Sequence, residues 1–463
     1  MQRTVPLTRD LVLIGGGHSH ALVLRMWGMN PLPGVRVTVI NPLPTAAYSG
    51  MLPGFVAGHY TREQLDIDLV RLARFAGARV IIGAAEGIDR EKREVRIAGQ
   101  ATVSYDVASV DVGITSEMPA LPGFPEHGIP AKPLAEFAAK WDAYRTAAKE
   151  TKVAVIGAGI AGAELAMAMA HALKDRSGRV TLIDKAAALP GMTEKARAKV
   201  LAAMAEAGVT LVENAPIASV GAEGVRLEDG RLIEAEFVNG AAGARPHDWI
   251  AATGLDLVDG YIAVGSTLRS SDPAIFATGD CAHMTHAPRP KAGVYAVRQA
   301  PILYNNLRSA LTEKGRMRPY QPQRDYLKLV SLGRRSALAD KFGTAVRGPL
   351  LWLWKDRIDR KFMAMLDDLP KMPVPPLPKE IAAGAVEALG DKPMCGGCGA
   401  KVGRGALRNA LASLPATSRK DITPLPGDDA ALLTTGGAQQ VITTDHLRSL
   451  TNDHALMTRI AAV

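Results

Sequence analysis

Two glycine-rich segments, each directly after a short apolar run, constrain the fold more than any other feature of the sequence. Residues 15–17 follow the apolar run 11–14, and residues 157–162 follow the apolar run 152–156. After the first segment come a helical pattern at residues 21–29 and an apolar run at residues 35–40. After the second come a helical pattern that ends near residue 173 and an apolar run at residues 179–183. The sequence therefore predicts two strand–turn–helix–strand units of the kind that binds dinucleotides.

The second glycine-rich segment carries a complete pattern for binding a pyrophosphate. Gly157 permits a tight turn, Gly159 lets the backbone approach the ligand, and Gly162 lets the helix pack closely on the strand. The helix N-terminus supplies N–H donors and the positive end of its dipole. Asp184 ends the next strand, where a carboxylate accepts a hydrogen bond from a ribose 2′-hydroxyl, so NADH is favoured over NADPH, although Lys185 leaves NADPH open. The alternative is a structural turn without a ligand.

The first segment departs from this pattern at two positions. Gly15 and Gly17 fill the first two glycine positions, but His20 stands at the third, and the next strand ends in Asn41 rather than in an acidic residue. A neutral amide can still hydrogen-bond a ribose hydroxyl. His18 lies beside the expected phosphates, where it either packs in the turn or orients the nucleotide. On these residues alone, a dinucleotide site and a plain structural loop both stay open.

Composition limits the class of protein and its compartment. The 463 residues suffice for about three domains of roughly 150 residues each. The net charge of +9 is not concentrated in basic runs, so nucleic acid is not the expected partner. Three cysteines do not make a disulfide framework, and no segment reaches the roughly 20 apolar residues that cross a bilayer. We expect a cytoplasmic protein, with peripheral contact to the inner face of the membrane as one option.

A third motif connects the first unit with a flavin. Residues 275–282 form a short apolar strand that runs into Thr278, Gly279 and Asp280. With this motif the chain resembles the flavoproteins with two dinucleotide-binding domains, which include single-subunit NADH dehydrogenases, sulfide:quinone reductases and disulfide reductases. The resemblance implies that Asp280 binds the ribityl chain of FAD and that Gly279 allows the close approach of the backbone.

The resemblance extends over about residues 8–365 and implies an α/β fold with two Rossmann-like domains. An FAD-binding domain, residues 1–118 and 247–345, is interrupted by an NAD(P)H-binding domain, residues 119–246. The residues that the resemblance and the motifs assign to FAD are Gly15, Gly17, His18, Asn41, Tyr48, Gly279 and Asp280. The residues assigned to NAD are Gly157, Gly159, Gly162, Glu164, Asp184 and Gly243.

The electron acceptor is what distinguishes the members of this family. Disulfide reductases keep a cysteine pair beside the flavin, and this sequence has none at the matching places. Cys281 follows Asp280 and is expected to be a small buried side chain rather than a redox centre. A quinone, oxygen or another small oxidant is then the expected acceptor. Tyr48 lies in the loop that the resemblance places near the flavin ring, and its expected role is to shape the redox pocket.

Residues 346–369 have the pattern of an amphipathic helix. Apolar residues recur at helical spacing, with lysines and arginines between them: Leu351, Trp354, Ile358, Phe362 and Met365. Such a helix can lie on a membrane surface and bring a quinone to the flavin. The alternatives are a helix that covers the flavin domain and a contact in a homodimer.

The last part of the chain differs from the rest. Five prolines in residues 370–378 indicate a semi-rigid linker, residues 370–393. Residues 394–463 resemble the start of selenide, water dikinase (selenophosphate synthetase), an α+β protein that uses ATP and magnesium. The resemblance implies that Cys398 is the reactive cysteine, that Lys401 assists it, and that Asp429 binds magnesium. Half of a zinc site or a redox pair formed by Cys398 and Cys395 are the alternatives.

Together these motifs predict an FAD-dependent oxidoreductase that transfers hydride from NAD(P)H to flavin and passes the electrons to a quinone or another small acceptor. The second hypothesis is selenophosphate synthesis by a complete fusion, with the flavin domain reducing a selenium or sulfur compound. Dikinase activity is not expected from this chain alone, because only the front of that domain is recognised. A non-catalytic dinucleotide sensor is the third hypothesis.

Overall fold

The computed structural model describes residues 5–147, 151–176, 178–372, 421–424, 430–435 and 438–443. The chain divides into two compact units, Met1–Lys371 and Met372–Val463. All three nucleotide motifs lie in the first unit. The residues predicted for a dikinase site, Cys398, Lys401 and Asp429, lie outside the described residues, as does most of the proline-rich linker.

Each described α-helix lies in the first unit. In chain order they are α1 (His18–Met29), α2 (Leu52–Val56), α3 (Arg62–Leu65), α4 (Leu69–Ala76), α5 (Phe124–His127), α6 (Leu134–Ala147), α7 (Ile160–Ala172), α8 (Glu194–Glu206), α9 (Gly293–Thr312) and α10 (Pro349–Asp367). Helix α1 begins at residue 18 and not at the predicted residue 21. The carboxylate of Asp111 causes this early start, because it accepts the N–H groups of Ser19 and His20 in the first helical turn.

The strands of the first unit are numbered in chain order. They are β1 (Arg9–Ile14), β2 (Val35–Asn41), β3 (Thr45–Ala47), β4 (Asp66–Asp68), β5 (Arg79–Ile82), β6 (Ala85–Asp89), β7 (Glu94–Ile97), β8 (Val103–Ser104), β9 (Val107–Val110), β10 (Thr115–Ser116), β11 (Gly128–Pro130), β12 (Lys152–Ile156), β13 (Arg179–Ile183), β14 (Val209–Val212), β15 (Ile217–Gly221), β16 (Gly224–Leu227), β17 (Leu232–Glu234), β18 (Phe237–Gly240), β19 (Ala244–Arg245), β20 (Leu257–Val258), β21 (Tyr261–Val264), β22 (Ile275–Ala277), β23 (Ala282–Met284), β24 (Lys328–Ser331), β25 (Ala337–Lys341) and β26 (Thr344–Gly348).

The first parallel sheet has the strand order β22-β9-β1-β2-β5. Its central strands are buried apolar runs, as strands covered on both faces must be. Ile14, Val110 and Ala277 pair side by side, so β1, β9 and β22 end at the same level. The first glycine turn, the residue after β9 and the Thr-Gly-Asp motif therefore meet at one edge of the sheet, where α/β proteins bind their ligands.

The second parallel sheet has the order β11-β18-β12-β13-β14. Its strands come from residues 128–240, between β9 and β22 of the first sheet, and the chain crosses between the sheets at the short antiparallel pair β10–β19. Ile156 pairs with Ile183 and with Gly240, so here too the glycine turn lies at the carboxyl edge. The predicted α/β fold with two Rossmann-like sheets, one inserted in the other, is confirmed.

A third layer consists of the antiparallel sheet β24-β25-β26 and helix α10. Residues of β24 and β25 share a buried apolar cluster with α2 of the first domain and α7 of the second. The buried positions of α10 are Trp352, Asp359 and Leu366, spaced by seven residues, whereas Trp354 and Ile358 of the predicted stripe are exposed. The predicted stripe is thus divided: Phe362 and Met365 pack against the core, and Trp354 and Ile358 are exposed.

The described part of the second unit is an antiparallel sheet of β27 (Ile422–Pro424), β28 (Ala430–Thr435) and β29 (Ala438–Thr443). Strand β28 pairs with both of the others. In neither unit does a described helix combine the length and the apolar character that are needed to cross a membrane.

Candidate functional site

The second glycine turn is closely packed on one side and open on the other. Gly157 has a φ of +103°, and its N–H donates to the carbonyl of Ile183 at 2.7 Å. A Cβ atom at Gly162 would overlap the carbonyl oxygen of Gly157, so α7 can approach the turn only because position 162 has no side chain. A Cβ atom at Gly159 would meet no atom within 4 Å. The open side at Gly159, the N-cap of α7, is where a pyrophosphate can approach.

Asp184 fixes this turn from the end of β13. One carboxylate oxygen accepts the N–H of Ala158 at 2.6 Å, and the other accepts the N–H of Ala186 at 2.9 Å. Each oxygen has a second lone pair, so these bonds leave Asp184 able to accept a ribose hydroxyl as well. That contact with NAD stays a prediction.

The first turn has the same architecture with different side chains. Asn41, at the end of β2, accepts the N–H of Gly16 at 2.9 Å, as Asp184 does for Ala158. His20 stands in the place of the third glycine, and its Nδ1 donates to the carbonyl of Gly15 at 2.7 Å. Its Nε2 accepts from the Ser109 hydroxyl at 2.8 Å. Burial lowers the pKa of His20 to about 4, so this imidazole is neutral and serves packing.

Asp111, directly after β9, is a site residue that the sequence reasoning missed. The side chain is 3% exposed, and one oxygen accepts the N–H groups of Ser19 at 2.9 Å and His20 at 3.1 Å. A Cβ atom at Gly17 or at Gly279 would overlap its carboxylate, so both glycines are needed for it to fit. Burial raises its pKa to about 7. An aspartate directly after the buried strand Val107–Val110 was the signal available in the sequence.

The Thr-Gly-Asp motif lies beside Asp111 and opens toward the second domain. Gly279 has a φ of +67°, and its N–H donates to the side chain of Gln299 at 2.8 Å. The hydroxyl of Thr278 is buried and has no hydrogen-bond partner among the described residues. Asp280 lies 3.4 Å from the ammonium of Lys132, which comes from the inserted domain. The motif therefore brings an unpartnered hydroxyl and an ion-paired carboxylate to the junction of the two domains.

Cys281 follows the motif as a buried and unreactive thiol. It is fully buried, and its Sγ donates to the carbonyl of Thr278 at 3.2 Å. Burial raises its pKa to about 12, so the thiolate needed for redox chemistry is not available near neutral pH. The expectation of a small packing side chain is confirmed.

An aromatic cluster joins the first turn to helix α10. The rings of Tyr48 and Phe362 stack with centroids 4.8 Å apart, and the ring of His18 meets Tyr48 edge-on at 5.2 Å. Burial lowers the pKa of His18 to about 4, with Lys132 acting in the same direction and Asp280 opposing. Neutral His18 therefore lies between the aromatic cluster and the Lys132–Asp280 pair, beside the first turn.

Two predicted residues have contacts that the sequence did not indicate. Glu164 accepts the N–H of Ser331 in β24 at 2.7 Å, and burial raises its pKa to about 7 against the opposing charge of Lys355. Gly243 has a φ of +66°, and its carbonyl accepts the N–H of Glu117 where the chain crosses between the domains. Both contacts are structural, and the assignment of these two residues to NAD stays a prediction.

Comparison with known proteins agrees with this geometry. The model of the family described as "Pyridine nucleotide-disulphide oxidoreductase" matches residues 9–300. The chain belongs to the pyridine nucleotide-disulphide oxidoreductase family. It is an FAD-dependent NAD(P)H oxidoreductase, as the related enzymes are.

Two curated relatives and one solved structure illustrate the range of the family. The chain is 25% identical to the NADH dehydrogenase-like protein YutJ of Bacillus subtilis, over 60% of this chain and 78% of that protein. It is 35% identical to the nitric oxide reductase FlRd-NAD(+) reductase of Aeromonas hydrophila, over 42% of this chain but only 50% of that protein. The sulfide:quinone oxidoreductase of Aquifex aeolicus has the same fold, with a TM-score of 0.63 at 16% identity, over 78% of this chain and 92% of that one.

The residues present fit the two cofactors of the family. The first sheet offers the unpartnered hydroxyl of Thr278 and the carboxylate of Asp280 at one edge, which suits the polar ribityl chain of FAD. The second sheet offers the open turn at Gly159 with Asp184 beside it, which suits a nicotinamide dinucleotide. When bound, FAD supplies the group that accepts hydride.

The packing of the second turn leads to a test with a matched pair of substitutions. Gly162→Ala should lower the free energy of unfolding by about 2 kcal/mol, because the added methyl group overlaps the turn. Gly159→Ala should leave the unfolding free energy near that of the wild type and weaken NAD(P)H binding, because its methyl group enters the open side. Chemical denaturation and nucleotide titration measure the two effects. Equal stability of both variants would contradict the packing described here.

The burial of Asp111 predicts a pH-dependent cost to stability. Its pKa is about 7 in the folded protein and about 4 in an unfolded chain, so the cost is full above pH 7 and is lost as the pH falls toward 4. Asp111→Asn keeps an oxygen for the two N–H groups and should stabilise the flavin-free protein by about 2 kcal/mol at pH 8. The gain should shrink at pH 5. Urea unfolding at both pH values checks this, and a gain independent of pH would refute it.

Proposed function

We propose that the protein passes electrons from NAD(P)H through FAD to a quinone at a membrane surface. The observation that carries the proposal is an exposed apolar surface on the third layer. It consists of side chains from the β25–β26 hairpin and from α10: Phe342, Val346, Leu350, Leu353, Trp354 and Ile358. Large apolar side chains exposed on neighbouring elements are typical of interaction surfaces.

The chemistry of this apolar surface suits the boundary of a bilayer. Leu350 is 77% exposed, Trp354 48% and Ile358 42%, and Arg357 and Lys361 are exposed on the same helix. Exposed apolar side chains with neighbouring cations favour anionic lipid surfaces. Trp352, by contrast, is buried against His59 and does not contribute to this surface.

Helix α10 connects this surface with the redox site. Trp354 and Ile358 are exposed on it, and Asp359 and Phe362, which come next along the helix, touch Tyr48. The exposed apolar side chains therefore lie within about two helical turns of the residues that touch Tyr48, which supports a quinone path along this helix.

The same site geometry leaves other acceptors as alternatives. Oxygen and soluble protein carriers need no membrane surface. A selenium or sulfur compound as the acceptor is motivated by the segment that resembles selenide, water dikinase, and the residues of that resemblance, Cys398, Lys401 and Asp429, lie outside the described residues. An acceptor screen that includes a quinone, oxygen, selenite and polysulfide separates these possibilities.

Electron entry is tested by an anaerobic absorption spectrum. The purified protein should show bound flavin that bleaches on addition of NADH, and more slowly on addition of NADPH, because Asp184 offers a carboxylate to the ribose hydroxyl. A flavin that stays oxidised with both nucleotides would favour the dinucleotide sensor instead. Equal rates with both nucleotides would contradict the predicted preference for NADH.

Membrane contact is tested with a double substitution on the apolar surface and a control substitution at an exposed isoleucine elsewhere. The double substitution of Trp354 and Ile358 by Ser should reduce co-sedimentation with vesicles of phosphatidylethanolamine and phosphatidylglycerol by about tenfold, since each side chain loses apolar burial. Ile82→Ser is the control, because Ile82 is 44% exposed on an edge strand of the first sheet, away from the apolar surface. Equal binding by the wild type, the double variant and the control would exclude a membrane role for this surface.

A further inference from the structure

A short series of hydrogen-bonded polar groups runs from α10 to the loop beside the first turn. The hydroxyl of Tyr48 donates to one oxygen of Asp359 at 3.0 Å. The ammonium of Lys355 donates to the other oxygen of Asp359 at 2.6 Å and to the carbonyl of Gly50 at 2.6 Å. The Asp359 carboxylate accepts hydrogen bonds from a phenol and from an ammonium, so it links three groups that can each carry a proton.

The end of this series is held in a fixed position. The Tyr48 ring stacks on Phe362 and contacts His18, which lies beside the Lys132–Asp280 pair. A Cβ atom at Gly50 would lie 2.6 to 2.8 Å from the ring and hydroxyl of Tyr48, so this glycine lets the phenol lie directly over the backbone. The hydroxyl is thus held in the loop that the family resemblance places near the flavin ring.

The middle of the series is able to exchange a proton. Asp359 is buried, and burial raises its pKa while Lys355 and Tyr48 oppose the rise. Burial also raises the pKa of Tyr48 far above its usual value, so the phenol stays protonated until a partner takes its proton. Glu164 on α7 and Asp356 on α10 are the other charged groups that act on this cluster. A buried acid between two donors can pass a proton in either direction.

Resting on the function proposed above, we propose that Lys355, Asp359 and Tyr48 form a proton path to an acceptor that takes up two electrons and two protons, as quinones do. Hydride from NAD(P)H supplies two electrons and one proton. The second proton leaves the Tyr48 hydroxyl for a quinone oxygen, Asp359 reprotonates Tyr48, Lys355 reprotonates Asp359, and water reprotonates Lys355. The balance is NAD(P)H + H⁺ + quinone → NAD(P)⁺ + hydroquinone.

The same helix provides a control for a purely structural role. Tyr60 donates its hydroxyl to Asp356 at 2.7 Å, one helical turn before Asp359. The ring of Tyr60 lies against the guanidinium of Arg360, at 5.3 Å, and not in the aromatic cluster. Removal of the hydroxyl of Tyr48 or of Tyr60 breaks one hydrogen bond to an aspartate of α10. Only the bond of Tyr48 belongs to the proposed path.

The test compares two oxidants of the flavin-loaded protein after anaerobic reduction. Menadione takes up two electrons and two protons, whereas ferricyanide takes one electron and no proton. The ratio of the menadione rate to the ferricyanide rate should fall by about 100-fold in Tyr48→Phe and in Asp359→Asn, as loss of a proton donor predicts. It should keep its wild-type value in Tyr60→Phe. An unchanged ratio in the first two variants, or an equal fall in all three, overturns the path.

Two further measurements separate this inference from the proposed function. Reduction with dithionite instead of NADH allows the ratio to be measured even if NADH fails to reduce the flavin, in which case the proposed function fails alone. In flavin-free protein labelled with ¹³C at the tyrosine ζ carbons, the Tyr48 signal should shift in Asp359→Asn and stay in Asp356→Asn. If Tyr48→Phe does not retain flavin, the ratio in Asp359→Asn decides the question.

Discussion

The buried carboxylate of Asp111 joins the two segments from which the first nucleotide site is built. It accepts two N–H groups from the first turn of α1, and its oxygens lie against Gly17 on one side and Gly279 on the other. A carboxylate in this place satisfies donors that would otherwise be left unpaired at a helix N-terminus. The burial that permits this also raises its pKa to about 7, so the site is built around a group that is costly to ionise.

The two nucleotide turns reach the same packing by different means. In the second turn, α7 approaches the strand because Gly162 has no side chain, and in the first turn the ring of His20 occupies the corresponding position and bonds the carbonyl of Gly15. Asn41 and Asp184 then perform the same task, since each accepts an N–H group from the middle of its turn. The departures of the first turn from the usual pattern are therefore compensated locally.

Helix α10 gives the proposed function its geometry. Trp352, Asp359 and Leu366, spaced by seven positions, pack inward. With the helix in this orientation, Trp354 and Ile358 lie at the surface. One element thus presents apolar side chains to the outside and a bonded aspartate to the pocket. The proposed membrane contact and the proposed proton path depend on the same helix in its observed orientation, although separate experiments test them.

The sequence by itself determined the two Rossmann-like units and the order of the motifs, because glycine spacing and apolar runs act through local backbone geometry. Only the tertiary structure decided that Asp111 lies at α1, that α10 turns its aspartate inward, and that Tyr48 bonds to Asp359. Those contacts join residues far apart in the chain, from 91 positions for Asp111 and His20 to 311 for Tyr48 and Asp359. Local patterns carry no information on such pairs, which exist only once the sheets and layers have packed.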